Sequence, residues 1–166
     1  MPNYFCLTIR FLQPYSHGRG DGGEPEWPPS PLRAFQALTA AAAAKWNERT
    51  RLEHAAPALT WLERRSAPTI TAAAGIPTNV KYRLYVPDNV GDKIAKSWSG
   101  GREGSIADYR TEKDVRPVTL LDEAVHYLWR LDDADWQECE RHLPTLRTAA
   151  RAITHLGWGV DMVAAD

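Results

Sequence analysis

At 166 residues the chain is long enough for one well-packed domain and short for two. Its formal net charge of -1 excludes nucleic-acid binding through bulk positive charge, so any such contact has to be local. No apolar run is long enough to span a bilayer, and the start MPNYFCLTIRFL lacks the make-up of a secretory leader; we expect a cytoplasmic protein with no membrane contact.

Cys6 and Cys139 lie far apart in unrelated patterns, which argues against a disulfide framework or a zinc site; both read as small buried hydrophobes. Fifteen of the 20 basic residues are arginine. That bias suits bidentate phosphate contact, and a GC-rich genome produces it equally.

Asn3 to Leu12 alternates strictly and predicts a strand, with Phe5, Leu7, Ile9 and Phe11 on one face and Tyr4, Cys6, Thr8 and Arg10 on the other. The stretch HGRGDGGEPEWPPS follows, from His17 to Ser30. Ser30 then reads as an N-cap with Pro31 at the first helical position, opening a helix that ends near Arg49 and carries Leu32, Phe35, Leu38 and Ala42 at helical spacing. Ala58 to Arg64 predicts a short helical turn, and PTITAA a strand. KYRLYV (Lys81 to Val86) alternates again, and Pro87-Asp88-Asn89 ends it. Gly91 to Pro117 shows no sustained period and reads as a long excursion, of the kind more often functional or disordered than a mere connector.

VHYLWRL (Val125 to Leu131) returns to strand alternation, and with KYRLYV it reads as one arm of an extended hairpin. Asp132, Asp133 and Asp135 favour the start of a second helix, by capping and by charge near the positive end of its dipole. Pro144 is expected to kink or divide that helix, Gly157 to stop it, and Trp158 to Ala164 to form a last strand. The order strand, helix, strand, strand, helix, strand predicts an α+β, ferredoxin-like βαββαβ antiparallel sheet with both helices on one face. No internal repeat supports the symmetry, so this rests on element order alone.

Gly18, Gly20 and Gly23 satisfy G-x-G-x-x-G, but a dinucleotide loop must lead directly into its helix. Here Pro25, Pro28 and Pro29 intervene, Asp21, Glu24 and Glu26 would repel a phosphate, and no G-K-[ST] ending follows. We expect no cofactor. His17, Asp21, Glu24 and Glu26 are legitimate metal-ligand types, yet their spacing matches no zinc or calcium pattern, and a solvated acidic loop is the plainer account.

No nucleophile-elbow sequence appears. A metal-free ribonuclease needs only a general base and acid beside a phosphate, and His17, after the first strand and before the first helix, is the residue that would serve; an ordinary hydrogen-bonding loop histidine reads the same. His126, His142 and His155 sit in apparent secondary structure, where structural roles are the default. On the sheet, Tyr4, Thr8 and Arg10 face away from the helices, and Arg83 with Tyr85, or His126 with Arg130, would share that face. Such mixtures suit single-stranded RNA and equally a solvated sheet face. The excursion adds Lys93, Lys96, Trp98, Arg102, Tyr109, Arg110, Lys113 and Arg116, the materials of an RNA backbone clamp, offset by Glu103, Asp108, Glu112 and Asp114.

Five blocks, HGRGDGGEPEWPPSPLRAFQAL, YRLYVPDN, RTEKDVRP, VHYLW and AARAITHLGWGVDMV, together resemble the N-terminal half of the type I-U (type I-G) CRISPR-associated fusion protein that joins a Cas-five-like to a Cas-six-like module. The resemblance covers Tyr4 to Asp166. It implies one RAMP domain over 1–166, with residues 88–117 as a thumb-like excursion and no C-terminal processing module. It implies a crRNA-binding Cascade subunit in antiviral defence that caps the 5′ repeat-derived handle. The backbone subunit, the large subunit and a Cas-six-like processing module would be its partners. RNA contacts are expected from Arg110, Lys113 and Arg116, then from Arg10, Arg19 and Arg33, with Lys96, Trp98 and Arg102 in the excursion. A noncatalytic role follows; the rival is a metal-independent crRNA-processing endoribonuclease using His17.

Overall fold

The computed structural model describes residues 2–44, 49–87, 99–101 and 110–166. Contacts divide the chain into two compact units, Met1–Pro77 with Pro117–Asp166, and Thr78–Arg116.

The first unit is built on strand β1 (Asn3–Phe11), whose alternation is realised as expected: Phe5, Leu7, Ile9 and Phe11 are buried, while Tyr4, Cys6 and Arg10 are exposed. Cys6 therefore departs from the buried role expected of it, because it falls on the outward phase of the strand; Cys139 is buried. After the two-residue β2 (Tyr15–Ser16) and the glycine stretch comes helix α1 (Pro31–Ala43). Ser30 caps it as predicted, its Oγ accepting from the Arg33 amide at 3.4 Å.

α1 ends earlier than the sequence suggested. A second helix, α2 (Arg49–Glu63), replaces the short turn predicted at Ala58 to Arg64. Ala55, Ala58, Leu59 and Leu62 repeat at helical spacing and are buried, so tertiary packing holds the helix through Pro57 despite the donor that proline lacks. Strands β3 (Thr69–Ala72) and β4 (Gly75–Pro77) follow.

Beyond the second unit the chain returns as β7 (Val118–Leu120) and β8 (Ala124–Leu131). Helix α3 (Asp133–Arg151) is capped by Asp132, whose carboxylate accepts from the Asp135 amide at 2.8 Å. Pro144 lies inside α3 without dividing it, because Cys139 before it and Leu146, Ala149 and Ala150 after it are buried in one line of packing. The helix stops short of Gly157, and β9 (Val163–Ala165) is shorter than the predicted last strand.

Four strands form the main antiparallel sheet in the order β3-β8-β1-β9, and β2-β7-β4 form a second sheet. Helices α1, α2 and α3 contribute to the hydrophobic core under the main sheet, with Ala34 and Leu38 of α1, Leu59 and Trp61 of α2 and Leu146 of α3 among its members. Phe5 packs edge-on to Trp61 at 6.2 Å and against Trp129 at 5.4 Å between ring centroids. This α+β arrangement, of antiparallel sheets and three helices among the described residues, is compatible with a ferredoxin-like fold.

The second unit holds a two-stranded antiparallel ribbon of β5 (Tyr82–Pro87) and β6 (Arg110–Val115). This corrects two expectations. KYRLYV pairs with β6, not with VHYLWRL, which instead lies between β1 and β3; and the end of the excursion is a regular strand.

Candidate functional site

The glycine stretch is a tight, internally bonded turn. The Glu26 amide donates to the Gly18 carbonyl, that of Gly20 to Glu24 and that of Gly23 to Gly20, each at 2.9 Å. Gly23 takes the left-handed φ of 79° that such a turn needs and that a side chain disfavours. Three amides that a phosphate would have to borrow are thus satisfied by the loop's own carbonyls, so the G-x-G-x-x-G spacing serves a turn.

Glu26 organises the exit toward α1. One carboxylate oxygen accepts from the Ser30 amide at 3.1 Å, at the helix N-terminus, and the other from Arg33 Nε at 2.9 Å. Arg33 also donates through Nη2 to the Arg19 carbonyl at 2.9 Å. Trp27 donates from Nε1 to the Ala73 carbonyl at 2.8 Å and stacks edge-on to Phe11. It covers Gly75, where a Cβ would stand 2.5 Å from Trp27 Cδ1. Tyr127, fully buried on β8, donates its hydroxyl to the Pro29 carbonyl at 2.8 Å, and burial pushes its phenol well above the ordinary range.

His17 is fixed by a residue 144 positions away. Asp161 accepts the His17 amide through Oδ2 at 2.9 Å and pairs with Nδ1 through Oδ1. Asp161 belongs to the turn after α3, in which the Leu156 amide donates to the Asp161 carbonyl at 3.0 Å and the Asp161 amide to Trp158 at 2.9 Å. The guanidinium of Arg19 lies over the Trp158 ring at 5.7 Å. The glycine loop and the 154–163 turn are therefore clamped by a buried His–Asp pair and a cation–π contact. A carboxylate on Nδ1 can orient an imidazole base, but the same packing leaves only 5% of His17 exposed. This geometry fits a clamp between the two loops. Of the other metal-ligand types in the loop, Asp21 and Glu24 are exposed and Glu26 is engaged with Arg33.

The structure brings His17, Arg19 and Arg33 of the expected residues into this one cluster. Arg10 stands exposed on the outward face of β1, not in the loop. Lys113 and Arg116 are exposed in the second unit, where Arg83 pairs with Glu112 at 3.0 Å and Asp114 at 3.4 Å, so the ribbon's acids are partly matched by a strand partner. Those acids hold the Arg83 pKa above its usual value, the Asp114 hydrogen bond foremost. Lys96, Trp98 and Arg102 lie outside the described residues, as does the side chain of Arg110, whose backbone pairs with Pro87. Asp161 escaped the sequence reading, since nothing local links it to His17.

The fold and this cluster define an α+β protein with antiparallel sheets and three helices among the described residues, none long and apolar enough to cross a membrane. The family of CRISPR-associated proteins described as "CRISPR-associated protein, GSU0054 family" matches residues 4–166, and the chain belongs to it. Its role accordingly lies in CRISPR defence. A crystal structure of a CRISPR protein from Archaeoglobus fulgidus is similar at 13% identity and a TM-score of 0.44, over 100% of this chain and 62% of that one. This chain thus spans less than two thirds of that protein's length. No curated protein matches it.

Proposed function

We propose that this chain is a crRNA-binding subunit of a type I-G (type I-U) Cascade effector complex that caps the 5′ repeat-derived handle. It acts as one Cas-five-like RAMP domain with a ferredoxin-like βαββαβ core, and residues 88–117 serve as its thumb-like excursion. The observation that carries this reading is the family match over residues 4–166. The sheet order adds support: taken in chain order, β1, β3, β8 and β9 are strands one to four, and they lie side by side as 4-1-3-2, with helices after the first and third. The backbone subunit, the large subunit and a Cas-six-like processing module are the proposed partners.

Arg110, Lys113 and Arg116 supply phosphate contacts, joined by Arg10 and Arg19 and by Lys96, Trp98 and Arg102 of the excursion. Arg33, already engaged with Glu26, contributes chiefly by shaping the loop that carries Arg19. The test is the affinity for a 5′-handle oligonucleotide across a salt series. Replacing Arg110 and Arg116 together by alanine removes two contacts and lowers the slope of log affinity against log salt by about 1.4. An unchanged slope rejects those two arginines, and absence of handle binding by the parent rejects the reading. Site-specific cleavage of repeat RNA in EDTA would instead favour the endoribonuclease.

A further inference from the structure

The outward side of the main sheet is a second surface of the first unit, apart from the glycine loop. Alternation sends Phe5, Leu7 and Ile9 into the core and turns Tyr4, Cys6, Thr8 and Arg10 outward. The register places Arg130 opposite Tyr4, Leu128 opposite Cys6 with Thr69 beyond it, and His126 opposite Thr8 with Thr71 beyond it. Tyr4 is 48% exposed, and Arg10, Arg130, Thr69 and Thr71 are exposed as well. In the middle, Thr8 Oγ1 and His126 Nδ1 share a hydrogen bond of 2.9 Å.

Charge is sorted on this side. The chain has 21 acidic against 20 basic residues, yet none of these cross-strand positions carries a carboxylate. The nearest one along β1 is Asp166, whose backbone pairs with Thr8, and its carboxylate is drawn to Arg151 at 2.7 Å and Arg147 at 3.4 Å on α3. What remains is one aromatic ring, two guanidinium groups, an imidazole and three threonine hydroxyls on a pleated platform. Arg10 and Tyr4 stand six residues apart, about 20 Å along the strand. Such a platform offers a ring for an unpaired base, cations for phosphates and hydroxyls for ribose, and a paired helix would hide its bases from it.

We infer that this side of the sheet is a contact surface for single-stranded RNA, with Tyr4 under a base, Arg10 and Arg130 on phosphates, and the Thr8–His126 pair between them. The inference rests on the RNA-binding reading above and adds Tyr4, Thr8, His126 and Arg130 to it.

Cys6, exposed among these residues, is a built-in reporter. Cys139 is 1% exposed and its thiol is pushed up to about 11 by burial and by Glu140, so alkylation of the native full chain reads Cys6 alone. Single-stranded handle RNA at saturation is expected to slow Cys6 alkylation several-fold, and the same length of duplex RNA is not. Tyr4→Ala weakens single-strand binding by about 5- to 150-fold, and Arg10→Ala with Arg130→Ala lowers the salt slope by about 1.4. Continued protection of Cys139 in each variant verifies that it is folded. RNA that stays bound, by anisotropy, while Cys6 alkylates at its free rate overturns this surface and leaves the RNA-binding reading standing. Equal protection by duplex overturns the single-strand assignment. Failure of the parent to retain any RNA overturns both.

Discussion

The glycine loop and the β5–β6 ribbon are both polar, charged connections in composition, and they are held in different ways. In the pairs that hold the loop, the side chains of His17 and its partner Asp161 are 6% and 1% exposed, and those of Arg33 and Glu26 are 28% and 18%. In the ribbon Arg83 and Glu112 are each 54% exposed. The same kinds of pair therefore differ in what their loss costs, because a desolvated group left without its partner has no water to replace it, whereas an exposed one does.

The loop is where the contrast can be broken most visibly. His17→Ala leaves the Asp161 carboxylate buried with only a backbone amide, and we expect a loss of about 3–5 kcal/mol in urea unfolding. Asp161→Asn, which keeps a hydrogen-bonding group in place, should cost about 1–3 kcal/mol. A loss below 1 kcal/mol for His17→Ala would mean that the clamp does not fix the loop.

Tyr127→Phe removes the bond to Pro29 and should cost about 1 kcal/mol. It also carries a pH signature whose sign follows from burial. The native phenol stays protonated to higher pH than the unfolded one, which ionises near pH 10. Its contribution is thus fully present below that pH and is lost as pH rises, by up to about 1.4 kcal/mol per unit. Titrating parent and Tyr127→Phe side by side between pH 9 and 11 isolates this dependence, and parallel curves would contradict it.

The smallest effect belongs to the ribbon. Arg83→Ala should leave the thermal unfolding midpoint unchanged within error, since water screens both of its partners. A clear drop would show that the ribbon's pairs behave like those of the loop.

Much of the fold was legible wherever one face of an element is buried. The alternation of β1 and β8 and the caps at Ser30 and Asp132 stand where the residues put them. Pro144 does not divide α3, because buried neighbours on either side carry the helix through, and α2 runs through Pro57 in the same way. Strand pairing was illegible for a different reason. KYRLYV and VHYLWRL alternate alike, and alternation tells which side chains face together but not which strand lies alongside. Of the candidate residues, Arg19 and Arg33 share a cluster that their spacing did not reveal, since Glu26 and the Arg19 carbonyl draw Arg33 back onto the loop.

The sequence by itself determined the phase of β1, the start of α1 and α3, and the unsuitability of the glycines for a phosphate, because periodicity, capping and the charge of near neighbours are local properties. Only the tertiary structure decided that β8 lies between β1 and β3, that His17 meets Asp161, and that Arg10, Tyr4, His126 and Arg130 share one side of a sheet. These are contacts between segments far apart in the chain, from Ala72 with Val125 to His17 with Asp161. They form because each strand must bury one face and pair its edge, which no short window of residues can express.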